Sequence, residues 1–284
     1  MFLWFSILLS VIEKKYHYIL GSLLLALLLI LPGFFLIVEN MNFLSGLLFC
    51  IYHQFIFINM ITRILEKIYR NIISIPINFK CLPFKQAVKL PIHVSGNIAF
   101  GKICKNSIEI NTPIIYRGMI QLGTNKGSFD MGGMDYVDIK QGGKIVFYGP
   151  CNICSGIKIS IGSKAKLEIG ENTFINSNTI IAVCSSVFLG RNFSAGWNCM
   201  ITDWDGHDII DSCTLKLLNT PAPISFGEDC WIGAHTTVLK GCTFANKVIV
   251  PCSSIVTKSC STESVIFGGT QNKILKSHVY RKYE

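Results

Sequence analysis

Ile232-Gly-Ala-His-Thr-Thr237, Val238-Leu-Lys-Gly-Cys-Thr243, Phe244-Ala-Asn-Lys-Val-Ile249 and Val250-Pro-Cys-Ser-Ser-Ile255 are four consecutive six-residue steps. An apolar residue opens each one, and the aliphatic residue is often followed by Gly, Ala or Asn. The same step recurs upstream at Ile161, Leu167, Ile169, Ile175, Leu189 and Ala195, broken once by Asp203-Trp-Asp-Gly-His207. A period of six, sustained from Ile157 to Lys258, is neither helical nor simply alternating. It predicts a parallel β-helix. Each step makes one short flat strand and a corner, with the aliphatic side chain pointing into the coil and small residues fitting the turn.

Outward from that stretch the pattern loosens. From Ile92 the text is already β-like, with Ile98, Ile103, Ile108, Ile120, Ile139 and Ile145 separated by Gly, Asn and Lys. These read as early, irregular coils of the same solenoid, with insertions around Gly123–Asp135. The predicted β-helix domain covers 96–276, and a basic tail follows at 277–284.

The N-terminal region is of another kind. The 284 residues are 50% hydrophobic and only 15% charged, which points to an embedded segment. Tyr18–Val38 carries no charge over a length that can cross a bilayer, and Phe43–Ile61 is a weaker apolar run with His53, Gln54 and Asn59. Lys14 and Lys15 before the first run, and Arg63, Lys67 and Arg70 after the second, predict a membrane helix or hairpin over 1–62 with both ends in the cytoplasm. The region 63–95 reads as a basic amphipathic helix to about Ile73, then a connector punctuated by Pro76, Pro83 and Pro91. Lys80, Lys85 and Lys89 in it suit either anionic headgroups or solvent.

The net charge of +9 belongs to the body, because the charges of residues 1–60 cancel. No clustered basic stripe with interleaved aromatics accompanies it, so nucleic acid is not an expected partner. Twelve cysteines stand without CxxC pairs. They read as buried reduced thiols, implying a reducing compartment and no metal site.

The run Asp229-Cys-Trp-Ile-Gly-Ala-His-Thr-Thr-Val-Leu-Lys-Gly-Cys-Thr243, closing on Ser254-Ile-Val-Thr-Lys258, resembles the hexapeptide-repeat acyltransferases. It is most similar to their galactoside, maltose and polysaccharide O-acetyltransferase branch. Phe267-Gly-Gly-Thr-Gln-Asn-Lys-Ile274 resembles that branch's terminal turn. The resemblance implies a left-handed parallel β-helix, a homotrimer, and acetyl-CoA bound between adjacent subunits. It also implies acetyl transfer to a hydroxyl of a sugar or glycan acceptor. With the membrane segment, that suggests surface-polysaccharide work at the inner face of the cytoplasmic membrane, or in the cytoplasm if the segment does not insert.

His207 stands where this family places its general base. A neutral imidazole suits removal of a hydroxyl proton near pH 7. Asp205 or Asp203 is the expected partner that orients the ring. Trp231, Ala234, Cys252, Thr257 and Lys258 match family positions lining the cofactor, Lys258 as a phosphate contact. Asn176 matches a family position that touches the acceptor. Departures lie at Ala245-Asn246, at Pro251-Cys-Ser-Ser254, and at Gln271 or Asn272 in the closing turn. Two other classes of function share this solenoid. A zinc lyase needs three converging histidines, and only His207 and His235 lie in the repeat. A silent scaffold, or an N-acyltransferase acting on an amino sugar, remains compatible with the solenoid.

Overall fold

The computed structural model describes residues 43–94, 97–124, 133–269 and 271–281. The chain divides into two units, Met1–Leu65 and Glu66–Glu284. The described part of the first is the beginning of helix α1, Phe43–Cys81. No helix among the described residues is long and apolar enough to cross a membrane. The second run expected to be embedded, Phe43–Ile61, is the start of this longer helix. His53, Gln54 and Asn59 interrupt it, and charges follow from Arg63. The first run, Tyr18–Val38, lies outside the described residues.

Helix α1 also corrects the connector expected from about Ile73. Pro76 lies inside it, and the helix continues to Cys81. Proline deletes one amide donor and crowds the preceding turn, yet the residues on either side are fixed from outside. Ser74 and Asn78 are fully buried. The Val94 N–H donates to Ser74 Oγ at 3.0 Å, and the Ile92 N–H donates to Asn78 Oδ1 at 3.1 Å. Asn78 Nδ2 returns 2.7 Å bonds to the carbonyls of Ile92 and Ser74. The helix end thus covers the exposed edge of the first strand, Ile92–Val94, which would otherwise invite another chain. A short helix α2, Phe84–Ala87, brings Gln86 Nε2 within 3.3 Å of the Ile110 carbonyl.

Beyond α2 the chain winds through three sheets. The seven- and six-stranded sheets are built from every third strand among the described residues, as is the nine-stranded sheet as far as Ile249–Val250, and successive members of these series pair in parallel. One column of the second face runs Ile180↔Met200↔Thr237↔Ile255. This is the three-sided coil that the six-residue period requires: one step per face, with one short strand in each, and three steps to a turn. The last strand, Lys273–Ser277, pairs antiparallel with Val265–Gly268 and ends the stack.

The apolar residues of the period form the core. Phe226, Ile232, Val238, Phe244, Val250 and Val256, spaced by six, are all essentially buried. Burying each stabilises the fold by about 1.5–3 kcal/mol. Phe226 and Phe244 stack with ring centroids 4.4 Å apart and planes within 3°. At the corner between the first and second faces, Asn178, Asn198, His235 and Ser253 occupy left-handed backbone, with φ between 55° and 59°. Asparagine tolerates that conformation better than most residues. His235 is therefore a corner residue.

Candidate active site

The strand Met200–Thr202 belongs to the second face and Ile224–Phe226 to the third. Everything between them leaves the coil at one edge. Pairing of Met200 with Thr237, and of Thr237 with Ile255, stacks Asp203, Lys240 and Lys258 in a column along that edge. Two strand spacings put the ends of this column about 10 Å apart at the backbone.

Asp203 roots the loop. Its side chain is fully buried and accepts the Cys184 N–H at 2.6 Å and the Ser185 N–H at 2.7 Å. Its own carbonyl accepts Ala222 N–H at 3.0 Å on the returning limb. Burial pushes the Asp203 carboxyl above the usual range, against the pull of these N–H donors. Asp205 faces out. It forms an ion pair with Lys240 Nζ and accepts Asn219 Nδ2 at 3.0 Å. The Lys240 ammonium, then Asn219, hold its carboxyl below the usual range.

His207 is exposed. No hydrogen bond joins its ring to either carboxylate: Asp203 turns inward to backbone amides, and Asp205 turns to Lys240 and Asn219. The expected ring-orienting pair is thus absent from this arrangement, because both carboxylates already have stronger local partners. The backbone around His207 is well held. Asn219 Nδ2 donates to the His207 carbonyl at 2.7 Å, and Asn219 Oδ1 accepts the Ile209 N–H at 2.7 Å. Beyond it, Ile210 and Leu217 bridge as an antiparallel pair. Asp211 Oδ1 closes the tip by accepting the N–H groups of Cys213 and Thr214.

The other residues singled out divide between two edges. Thr257 and Lys258 share the edge of His207; both are exposed, and the Thr257 N–H donates to Asn272 Oδ1 at 3.0 Å. Trp231, Ala234 and Cys252 flank the opposite edge of the second face, where pairing of Trp231 with Ile249 stacks Ala234 against Cys252. Trp231 is 38% exposed. Asn176 lies on that edge too, but it is buried and its Oδ1 accepts the Ser177 N–H at 2.9 Å. That oxygen completes its own turn. Sequence reasoning missed Asn219 and Lys240. Only the lysine's place in the coil after the loop could have pointed to it.

Eleven cysteines of the described residues are free thiols. Burial raises the thiols of Cys81, Cys199, Cys230 and Cys242 to about 11, so they act as small apolar groups. No group of His, Cys, Asp and Glu among the described residues could hold a metal ion.

No family model matches the chain. Sequence similarity does link it to named enzymes. It is 28% identical over 119 residues to the galactoside O-acetyltransferase of Escherichia coli K12, covering 35% of this chain and 59% of that protein. It is 26% identical over 170 residues to a probable acetyltransferase of Mycobacterium tuberculosis, covering 59% of this chain and 53% of the relative. The chain therefore spans less than two thirds of the length of these curated relatives. Among solved structures, the polySia-specific acetyltransferase NeuO aligns at a TM-score of 0.49 and 17% identity, over 68% of this chain and 79% of that one. The chain is thus similar in sequence to named acetyltransferases, a galactoside O-acetyltransferase among them.

Proposed function

We propose that this protein transfers an acetyl group from acetyl-CoA to a sugar hydroxyl, with His207 as general base. The observation that carries the reading is an exposed imidazole on a bonded loop at a coil edge, in a chain similar to a galactoside O-acetyltransferase. His207 takes the proton of the acceptor hydroxyl as its oxygen attacks the thioester carbonyl. A new C–O bond forms, the C–S bond breaks, and the imidazolium returns the proton to the departing CoA sulfur. Lys258 meets CoA phosphate through its ammonium, with Thr257 beside it. Trp231, Ala234 and Cys252 line the acyl donor's path. They lie on the other edge of the coil, so the complete site takes that edge from a neighbouring copy in a homotrimer of left-handed β-helices.

The acceptor is a glycan of surface-polysaccharide biosynthesis, reached at the inner face of the membrane through the uncharged run Tyr18–Val38. Retention of the chain in an alkali-washed membrane fraction tests that attachment, and release of the intact chain into the wash rejects it.

The test of the activity is thiol release from acetyl-CoA with a panel of sugars and lipid-linked glycans. His207→Ala is expected to lower turnover by about 10²–10⁴-fold while acetyl-CoA affinity stays near the parent's. Parent-like turnover in that variant removes the base. Lys258→Ala is expected to weaken acetyl-CoA binding with little effect on turnover at saturation.

A further inference from the structure

The carboxamide of Asn219 has one acceptor oxygen and two donor hydrogens, and all are used within the loop. Oδ1 accepts the Ile209 N–H at 2.7 Å; Nδ2 donates to the His207 carbonyl at 2.7 Å and to Asp205 Oδ2 at 3.0 Å. One side chain on the returning limb thus grips the outgoing limb at residues 205, 207 and 209. Asp205 is gripped a second time, by Lys240 of the next coil, whose position is fixed by sheet pairing and not by the loop. The chain between these points needs the help. Gly206 takes left-handed backbone (φ 88°), and nothing lies within 4 Å of where its Cβ would be. A side chain at that position would find nothing to pack against.

From this geometry we infer that Asn219 is a positioning residue, which fixes the His207 backbone relative to the coil edge, with Lys240 anchoring the clamp through Asp205. The inference rests on His207 being the base. Its physical content is that an exposed imidazole is useful only where its ring nitrogen meets the acceptor hydroxyl, and displacements near 1 Å cost about 100-fold in rate. Asn219 touches neither reactant; it acts through the main chain of His207.

Asn219→Ala in the full-length protein, assayed with acetyl-CoA and a responsive sugar acceptor, tests this. Turnover is expected to fall about 10- to 100-fold, with KM for acetyl-CoA within twofold of the parent. Asn219→Gln, which keeps the carboxamide, is expected to recover part of the loss. Lys240→Met is expected to reproduce a smaller loss of the same kind. Hydrogen exchange at the Ile209 amide gives an arm independent of catalysis, and it is expected to quicken in Asn219→Ala with amides of the coil strands unchanged. Parent-like turnover in Asn219→Ala, with His207→Ala inactive, overturns the positioning role and leaves the base standing. Parent-like turnover in His207→Ala overturns the base and with it the catalytic meaning of the clamp. Unchanged exchange at Ile209 overturns the clamp itself. A variant that loses coil protection generally refers the decision to Lys240→Met, where unaltered turnover rejects the inference.

Discussion

Two aspartates two residues apart have opposite situations, and each can be tested through its own partner. Asp205 is ionised and paired: the Lys240 ammonium holds its carboxyl below the usual range. A group with a depressed folded value contributes stability that is present above its unfolded value and lost as pH falls through the folded one. The tie between loop and coil therefore persists throughout the neutral range and opens only in acid. Replacing Lys240 with Met should raise the Asp205 titration midpoint towards an ordinary carboxylate, read from its side-chain carbon resonance across pH 2–6. An unmoved midpoint would mean that the pair does not form in solution. Asp203 instead satisfies backbone amides. Asp203→Ala should cost about 1–3 kcal/mol in urea unfolding, because the donors lose their acceptor. His207 was legible as a reactive residue because it stands in a polar break of an otherwise strict repeat. Its partners were not legible. Asn219 and Lys240 are separated from it by 12 and 33 positions; the loop's return on itself brings the first to His207, and the stacking of coils brings the second to the loop.

At the scale of elements, the period of six was a sufficient guide to the strands, since one apolar residue per step leaves a single way to bury the series. Edges were another matter. Pro76 looked like a helix terminator because sequence shows what proline removes but not what neighbouring groups supply. Here Ser74 and Asn78 bond the first strand from the helix, so the turns around the proline are held by tertiary contacts. At Asn176 too the sequence did not show the local bond: its amide oxygen turns back to accept the Ser177 N–H, as asparagine at a tight corner often does. Asn78→Leu is a direct test of the cap. It keeps the volume roughly constant but leaves the Ile92 N–H and carbonyl without partners, at about 1–3 kcal/mol for each buried group. The urea midpoint should fall accordingly, and the variant should aggregate sooner on warming, since the strand edge is uncovered. A stability equal to the parent's would show that the helix does not seal this end.

Within the unit Glu66–Glu284 the coils form a stack in which each touches the coils beside it, and that arrangement sets how damage spreads. The glycines at the corners show how little room separates the layers. A Cβ added to Gly190 would lie 2.3 Å from the Gly227 carbonyl oxygen and 2.5 Å from its carbon. Both are backbone atoms of the next coil, and no side-chain rotation relieves the contact. Gly190→Ala should therefore pry two layers apart at one corner, costing about 1–3 kcal/mol as overpacking does. Lys166→Ala, on the outer surface, should change the unfolding free energy by less than about 0.5 kcal/mol. In a structure that is nearly one-dimensional, the lesion stays with the neighbouring interface. Amide exchange should quicken in Ser186–Leu189 and Ile224–Phe226, which pair across the pried gap. It should stay at parent rates in Ile108–Ile110 and Lys144–Phe147, three and two strands beyond Ser186–Leu189 in the same sheet. Uniform loss of protection would mean that the solenoid opens as one cooperative block. The loop carrying His207 would then be coupled to every corner of the stack, and not chiefly to the two coils that hold it.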